Sequence, residues 1–128
     1  MSAVADPMAS PEWEAARSDW YAMAAAEIAR VSRELDKALP GTLSRDGVYA
    51  PVHDIAGLAG VFGYTLIGKI ARGMMEVFRH GQNPLDEKTL RLARAYMMAL
   101  SALHAKDMRG EGGAAGEAIL AKLASIKN

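Results

Sequence analysis

The sequence predicts an all-α protein: an antiparallel four-helix bundle with an additional short C-terminal helix. Apolar residues recur with a period close to 3.6 through four long stretches. Alanine and methionine are abundant, aromatic residues make up 6% of the chain, and β-branched runs are absent, a composition that favours helix over sheet. Pro-Gly and Gly-rich breaks separate the stretches by short connections, so successive helices are expected to be antiparallel.

Taken in order, residues 1–9 read as a loose tail and residues 10–128 as a single bundle domain. Ser10-Pro11-Glu12 has the signature of a helix start: a capping serine, proline in the first turn and an acid at the positive end of the dipole. The first helix then runs to about Leu39, with Trp13, Trp20, Ala24, Ile28, Val31, Leu35 and Leu39 inward, and Pro40-Gly41 ends it. Asp46 is the expected cap of a second helix from about Gly47 to Phe62, broken by Gly63. A third spans about Tyr64 to His80, with Leu66, Ile70, Met74, Val77 and Phe78 inward, and Gly81-Gln82-Asn83-Pro84 turns the chain. Asp86 caps a fourth, which carries Leu90, Ala93, Met97, Leu100 and His104 on one stripe to about Met108. After the break at Gly110-Glu111-Gly112-Gly113, a last helix from about Ala114 to Ile126 packs back through Ile119 and Leu123.

Fifteen basic residues balance fifteen acidic ones, with no basic cluster, so bulk charge gives no support for nucleic-acid binding. The absence of cysteine excludes a disulfide framework, a thiol nucleophile and a cysteine zinc site. Met1 to Pro11 lacks the charged and apolar regions of a signal peptide. No apolar run approaches the ~20 residues that span a bilayer. A soluble, cytoplasmic protein with no membrane partner is expected.

The stretch that stability does not explain is His53-Asp54-Ile55-Ala56-Gly57-Leu58-Ala59-Gly60-Val61-Phe62-Gly63. At about 100° per residue, Val48, Val52, Ile55, Ala59 and Phe62 fall on one stripe, while His53, Gly57 and Gly60 lie roughly 120° to 180° away. The histidine should therefore point to solvent, with no side chains on the next turns of its face. Each mid-helix glycine costs about 1 kcal/mol against alanine. Two of them beside an exposed imidazole point to close approach by another macromolecule.

The pattern resembles the histidine-containing phosphotransfer (HPt) domain of bacterial phosphorelays, whose helix reads roughly His-x-Leu/Ile-Lys-Gly-x-Ala with a further Gly ten residues after the His. His53, Ile55, Gly57, Ala59 and Gly63 match, and Phe62-Gly63-Tyr64 looks like an alphaproteobacterial branch. The family lysine, three residues after the histidine, is Ala56 here. The resemblance implies that His53 is the covalent phosphoryl carrier, relaying phosphate between response-regulator receiver domains and a hybrid histidine kinase. It implies no enzymatic turnover and no cofactor in this chain, the Mg²⁺ being supplied by the receiver. A free-standing monomer is expected, and Ala56, Gly57, Gly60, Lys69, Arg72 and Arg79 are the expected receiver-docking residues. Arg72 or Lys69 is a candidate to replace the charge missing at Ala56.

The remaining features have plainer readings. Asp54 lies about 100° around the helix from His53 and is a poor orienter of it. His80 closes a helix where a cation suits the dipole, and His104 reads as a structural histidine. No histidine pair has i, i+4 spacing with a carboxylate, so no metal site is expected. The Gly110–Gly116 segment has no preceding strand and the wrong spacing for a P-loop, leaving Arg109 without an assigned role. Met23, Met74, Met75, Met97 and Met98 read as core fillers. Two alternatives stay open: a phosphotransfer-inactive HPt-like adaptor that binds a receiver or kinase, which Ala56 keeps alive, and a helical dimerisation module whose glycine face packs on its twin.

Overall fold

Residues 10–127 are described by the structure, a computed structural model; the tail expected at 1–9 lies outside them. Five helices follow one another: α1 (Pro11–Lys37), α2 (Arg45–Ala59), α3 (Thr65–His80), α4 (Glu87–Ala105) and α5 (Gly113–Lys127). No strand occurs among the described residues. Helix α1 packs on α2 and α4, and α3 packs on the same two, so the four form a square. Cross-helix contacts set the directions. Tyr21 stacks on His104 while Arg94 reaches Leu35, and Ala59 meets Gly68 while Tyr49 meets Arg79. Both pairs therefore run antiparallel, and Trp13 at the start of α1 meeting Phe62 just past α2 sets those two antiparallel as well, so sequential neighbours alternate as the short connections predict; α5 packs on α4.

One apolar cluster fills the square and includes the predicted Ile28, Val31, Leu35, Val52, Ile55, Leu66, Ile70, Met74, Phe78, Leu90, Met97 and Leu100. Its aromatic part lies at one end, where Trp20 packs against Phe62 and Tyr64 with ring centroids 6.0 and 5.1 Å apart and Trp13 meets Phe62 edge-on. Two inward assignments fail. Leu39 is 68% exposed because α1 ends at Lys37 and the chain has already turned away. Met98 is 75% exposed, on the outer face of α4 between the grooves it forms with α1 and with α5.

Local chemistry explains the boundaries. Ser10 accepts from the Trp13 amide at 3.0 Å and Asp86 from the Thr89 amide at 2.9 Å, so both predicted caps hold. Helix α2 starts earlier than expected: Ser44, not Asp46, is its N-cap, and Asp46 is a first-turn acid. The Asn83 side chain adds an acceptor for the Arg45 amide at 3.0 Å. Helix α2 is assigned to Ala59 rather than Phe62, but it closes through two further bonds, Tyr64 N–H to Ala59 O (2.8 Å) and Gly63 N–H to Gly60 O (3.1 Å). That is a Schellman closure with Gly63 at φ +87°, the left-handed position that glycine occupies without penalty. Helix α4 ends at Ala105, short of Met108, as Asp107 turns left-handed at φ 52°.

Backbone pairs tie the connections together at both ends of the square. At one end Gly41 donates to Leu85 O (2.8 Å) and Leu85 to Leu43 O (2.9 Å). At the other Gly110 donates to Gly63 O (2.7 Å), and its own carbonyl accepts from Leu66 at 2.8 Å. That second bond takes up a first-turn amide of α3, whose N-cap Tyr64 offers no side-chain acceptor.

Candidate functional site

His53 sits in the middle of α2 with its side chain 62% exposed. The core stripe on the opposite face, Val48, Val52, Ile55, Ala59 and Phe62, is buried throughout. One and two turns on, a Cβ added to Gly57 or Gly60 would meet nothing within 4 Å. Neither glycine is needed for packing among the described residues, so Gly57 and Gly60 leave bare backbone beside the imidazole. A shallow depression there is lined by His53, Asp54, Gly57, Leu58 and, from α1, Met23. Leu58 and Val61 are about half exposed and give this face an apolar margin.

Ala56 departs from the docking expectation. It is 8% exposed and belongs to the core cluster. Its place is about 80° from the core stripe, on the flank of α2 turned toward α3, where Tyr49 also meets Arg79. Leu58 lies equally far from the stripe on the opposite flank, toward Met23 of α1, and stays exposed. Helical phase gives both the same angle; the neighbouring helices decide which is covered.

The three cations on α3 have different surroundings. Lys69 is bound to Glu111 at 2.7 Å. Arg79 pairs with Glu76 and donates through Nη2 to the Tyr49 hydroxyl at 2.8 Å, and this hydroxyl holds its guanidinium more firmly protonated than usual. Arg72 has neither an ion pair nor a hydrogen bond among the described residues. Its guanidinium folds back over Gly68: a Cβ there would lie 3.3 Å from Arg72 Nη1 and 3.3 Å from the Ala59 methyl. The uncommitted cation thus rests in the α2–α3 groove one turn from Ala56.

Asp54 lies nearer His53 than its phase implied, with Oδ1 3.8 Å from Nδ1, beyond hydrogen-bond reach and within ion-pair reach. Sequence reasoning passed over Tyr49. It precedes His53 by four residues, the spacing that brings side chains together on a helix, and its ring stands nearly parallel to the imidazole at 24°, centroids 6.4 Å apart.

The other two histidines are engaged locally. His80 contacts Glu76 at 3.0 Å, and His104 Nε2 lies 3.0 Å from the Tyr21 carbonyl. Among the described residues no three His, Cys, Asp or Glu side chains cluster as a metal site would require. No described helix is long and apolar enough to cross a membrane.

Arg109 gains a structural role. It binds Asp107 through Nε and Nη2 and lies over the Tyr64 ring, 4.9 Å from its centroid. The fully buried Tyr64 donates its hydroxyl to Asp107 (2.6 Å) and accepts from Arg17 (2.8 Å), which in turn pairs with Glu14. Burial first, then the bond to Asp107, pushes the Tyr64 phenol above its ordinary value; Arg109 and Tyr64 together hold the Asp107 carboxyl low. The network joins α1, the α2–α3 turn and the end of α4. Two of the glycines that follow are packed: a Cβ on Gly112 would come within 2.9 Å of Leu66, and one on Gly116 would collide with the Glu111 carbonyl.

No protein-family model matches the chain, and neither the curated proteins nor the solved structures yield a match.

Proposed function

We propose that this chain is a histidine phosphotransfer protein that carries a phosphoryl group on His53 between receiver domains of a cytoplasmic two-component relay. The observation that carries the reading is the exposed imidazole beside two glycines whose missing side chains nothing in the fold requires. Around them lie the half-exposed Leu58 and Val61, the apolar rim a docking protein would cover.

An aspartyl phosphate on the receiver presents phosphorus in line with the outer nitrogen, Nε2. The Nε2 lone pair forms the P–N bond as the P–O bond to the aspartyl carboxylate breaks, its electron pair leaving with the carboxylate. The ring keeps its proton on Nδ1 and gains a positive charge, which the Asp54 carboxylate faces at 3.8 Å. In water that attraction is worth about 1 kcal/mol at most. The remaining stabilisation of the transferred group, including Mg²⁺, would come from the receiver. Helix α2 contributes position: a nucleophile held by a rigid, buried stripe on its back face.

The test is exposure of the purified protein to a panel of phosphorylated receivers and hybrid kinases, read by intact mass and by acid-labile, base-stable phosphate, with His53→Gln as control. An adduct that vanishes in the variant is expected. Binding without an adduct would move the assignment to an inactive adaptor.

A further inference from the structure

We infer that Tyr49 is a positioning residue for His53, held in place by Arg79; the inference rests on the phosphocarrier reading for its consequence, though not for its geometry. Three contacts converge on Tyr49. Its ring faces the imidazole one turn away, 24° from parallel. Its hydroxyl accepts from Arg79 Nη2 at 2.8 Å, and the Arg79 guanidinium also lies 6.0 Å from its ring centroid. Glu76 in turn holds Arg79 from its own helix.

The arrangement answers a problem that exposure creates. A histidine on an exposed helix face is free to exchange rotamers, and Gly57 and Gly60 offer no side chain to confine it on that side. Side chains on a helix lean toward its N-terminus, so the imidazole leans over the residue four positions earlier. That residue is a flat ring tied at its far end to α3. An alanine or leucine there would leave the imidazole loose, and an untethered ring would move with it. The ring narrows the imidazole's rotamers from the side away from the glycines. Tyr49 itself touches no phosphoryl group.

The experiment uses the full chain. Side-chain NMR gives the χ1 couplings and ring shifts of His53, independent of any partner, for the wild type, Tyr49→Phe, Tyr49→Ala and Arg79→Gln. Phosphoryl transfer from a cognate receiver is then measured as a maximal rate and an apparent KM. A single dominant His53 rotamer is expected in the wild type, partial averaging in Tyr49→Phe and Arg79→Gln, which remove only the tether, and full averaging in Tyr49→Ala. The transfer rate should fall in the same order, on the order of ten-fold for Tyr49→Ala with KM little changed, within the hundred-fold that misplacing a reacting group costs. An averaged His53 in the wild type, or an unchanged rotamer in a folded Tyr49→Ala, overturns the inference. So does a Tyr49→Ala defect confined to KM, which would mark Tyr49 as a contact for the partner. Failure of wild-type His53 to accept phosphate from any donor would sink the phosphocarrier reading, while the NMR series would still decide whether Tyr49 positions the ring.

Discussion

Replacing Gly57 by alanine separates the needs of the fold from those of a partner. Gly57 lies inside α2, and a Cβ there meets nothing within 4 Å. The substitution therefore adds no clash and removes the entropic cost of a mid-helix glycine. The structure predicts stabilisation by about 0.5–1 kcal/mol. For a domain of this size that raises Tm by about 2–4 °C. The same methyl would project from the bare surface beside His53 into any closely docked partner. Overpacking an interface by one methyl costs about 1–3 kcal/mol, roughly a five- to 150-fold loss of transfer from a phosphorylated receiver. Calorimetry and rapid-quench transfer on the same sample read both effects. A variant that is more stable and slower supports the reasoning. One that is less stable shows that the glycine serves the fold, and one that is more stable yet transfers normally shows that no partner approaches this face closely.

Gly116→Ala should do the opposite, because its methyl would strike the Glu111 carbonyl: a loss of about 1–3 kcal/mol in chemical denaturation, with the α5 amides the first to exchange. Tyr64→Phe removes a donor to Asp107 and an acceptor from Arg17 at a buried site, and should cost about 1–3 kcal/mol. It should also flatten the alkaline limb of the stability profile. The Tyr64 phenol titrates higher folded than unfolded, so its contribution is complete below the unfolded value near 10 and is lost as pH rises through the folded one. The Asp107 carboxyl, held low, gives the acid limb: its contribution is present above the unfolded value near 4 and disappears as pH falls through the folded one, a loss that Arg109→Gln should reduce. Arg72→Glu should leave Tm within a degree or two, since Arg72 has no ionic partner in the described residues, while slowing transfer several-fold; an unchanged rate would remove Arg72 as a substitute for the charge missing at Ala56.

Much of this molecule can be read from period and punctuation. The outward direction of His53 followed from the phase of Val48, Val52, Ile55, Ala59 and Phe62, because a helix that buries five such residues has one orientation open to it. Caps at Ser10 and Asp86 were legible because the donor is three residues away. Ser44 was missed because Asp46 competes for the same role within the same turn. Contacts between distant segments were not legible. Tyr64 meets Asp107 across forty-three residues and Tyr49 meets Arg79 across thirty, and nothing local marks either pair. The burial of Ala56 against the exposure of Leu58 is of the same kind, a choice made by α3 and α1. The glycines after Arg109 read only as a chain break, whereas Gly112 and Gly116 allow the chain to lie against Leu66.

The paired backbone bonds that join the connections at both ends of the bundle bear on how information could pass through it. Helices pinned at both ends have little freedom to slide or rotate past one another, so α2 should present the same surface if the His53 ring were substituted. A visitor to that surface incurs little reorganisation cost, and arrival and departure are equally unhindered by the scaffold. Such a molecule holds no memory of its own. On the phosphocarrier reading, any discrimination between loaded and empty forms would reside in the added group or in whatever reads it, and the direction of traffic would be a property of the readers and their concentrations.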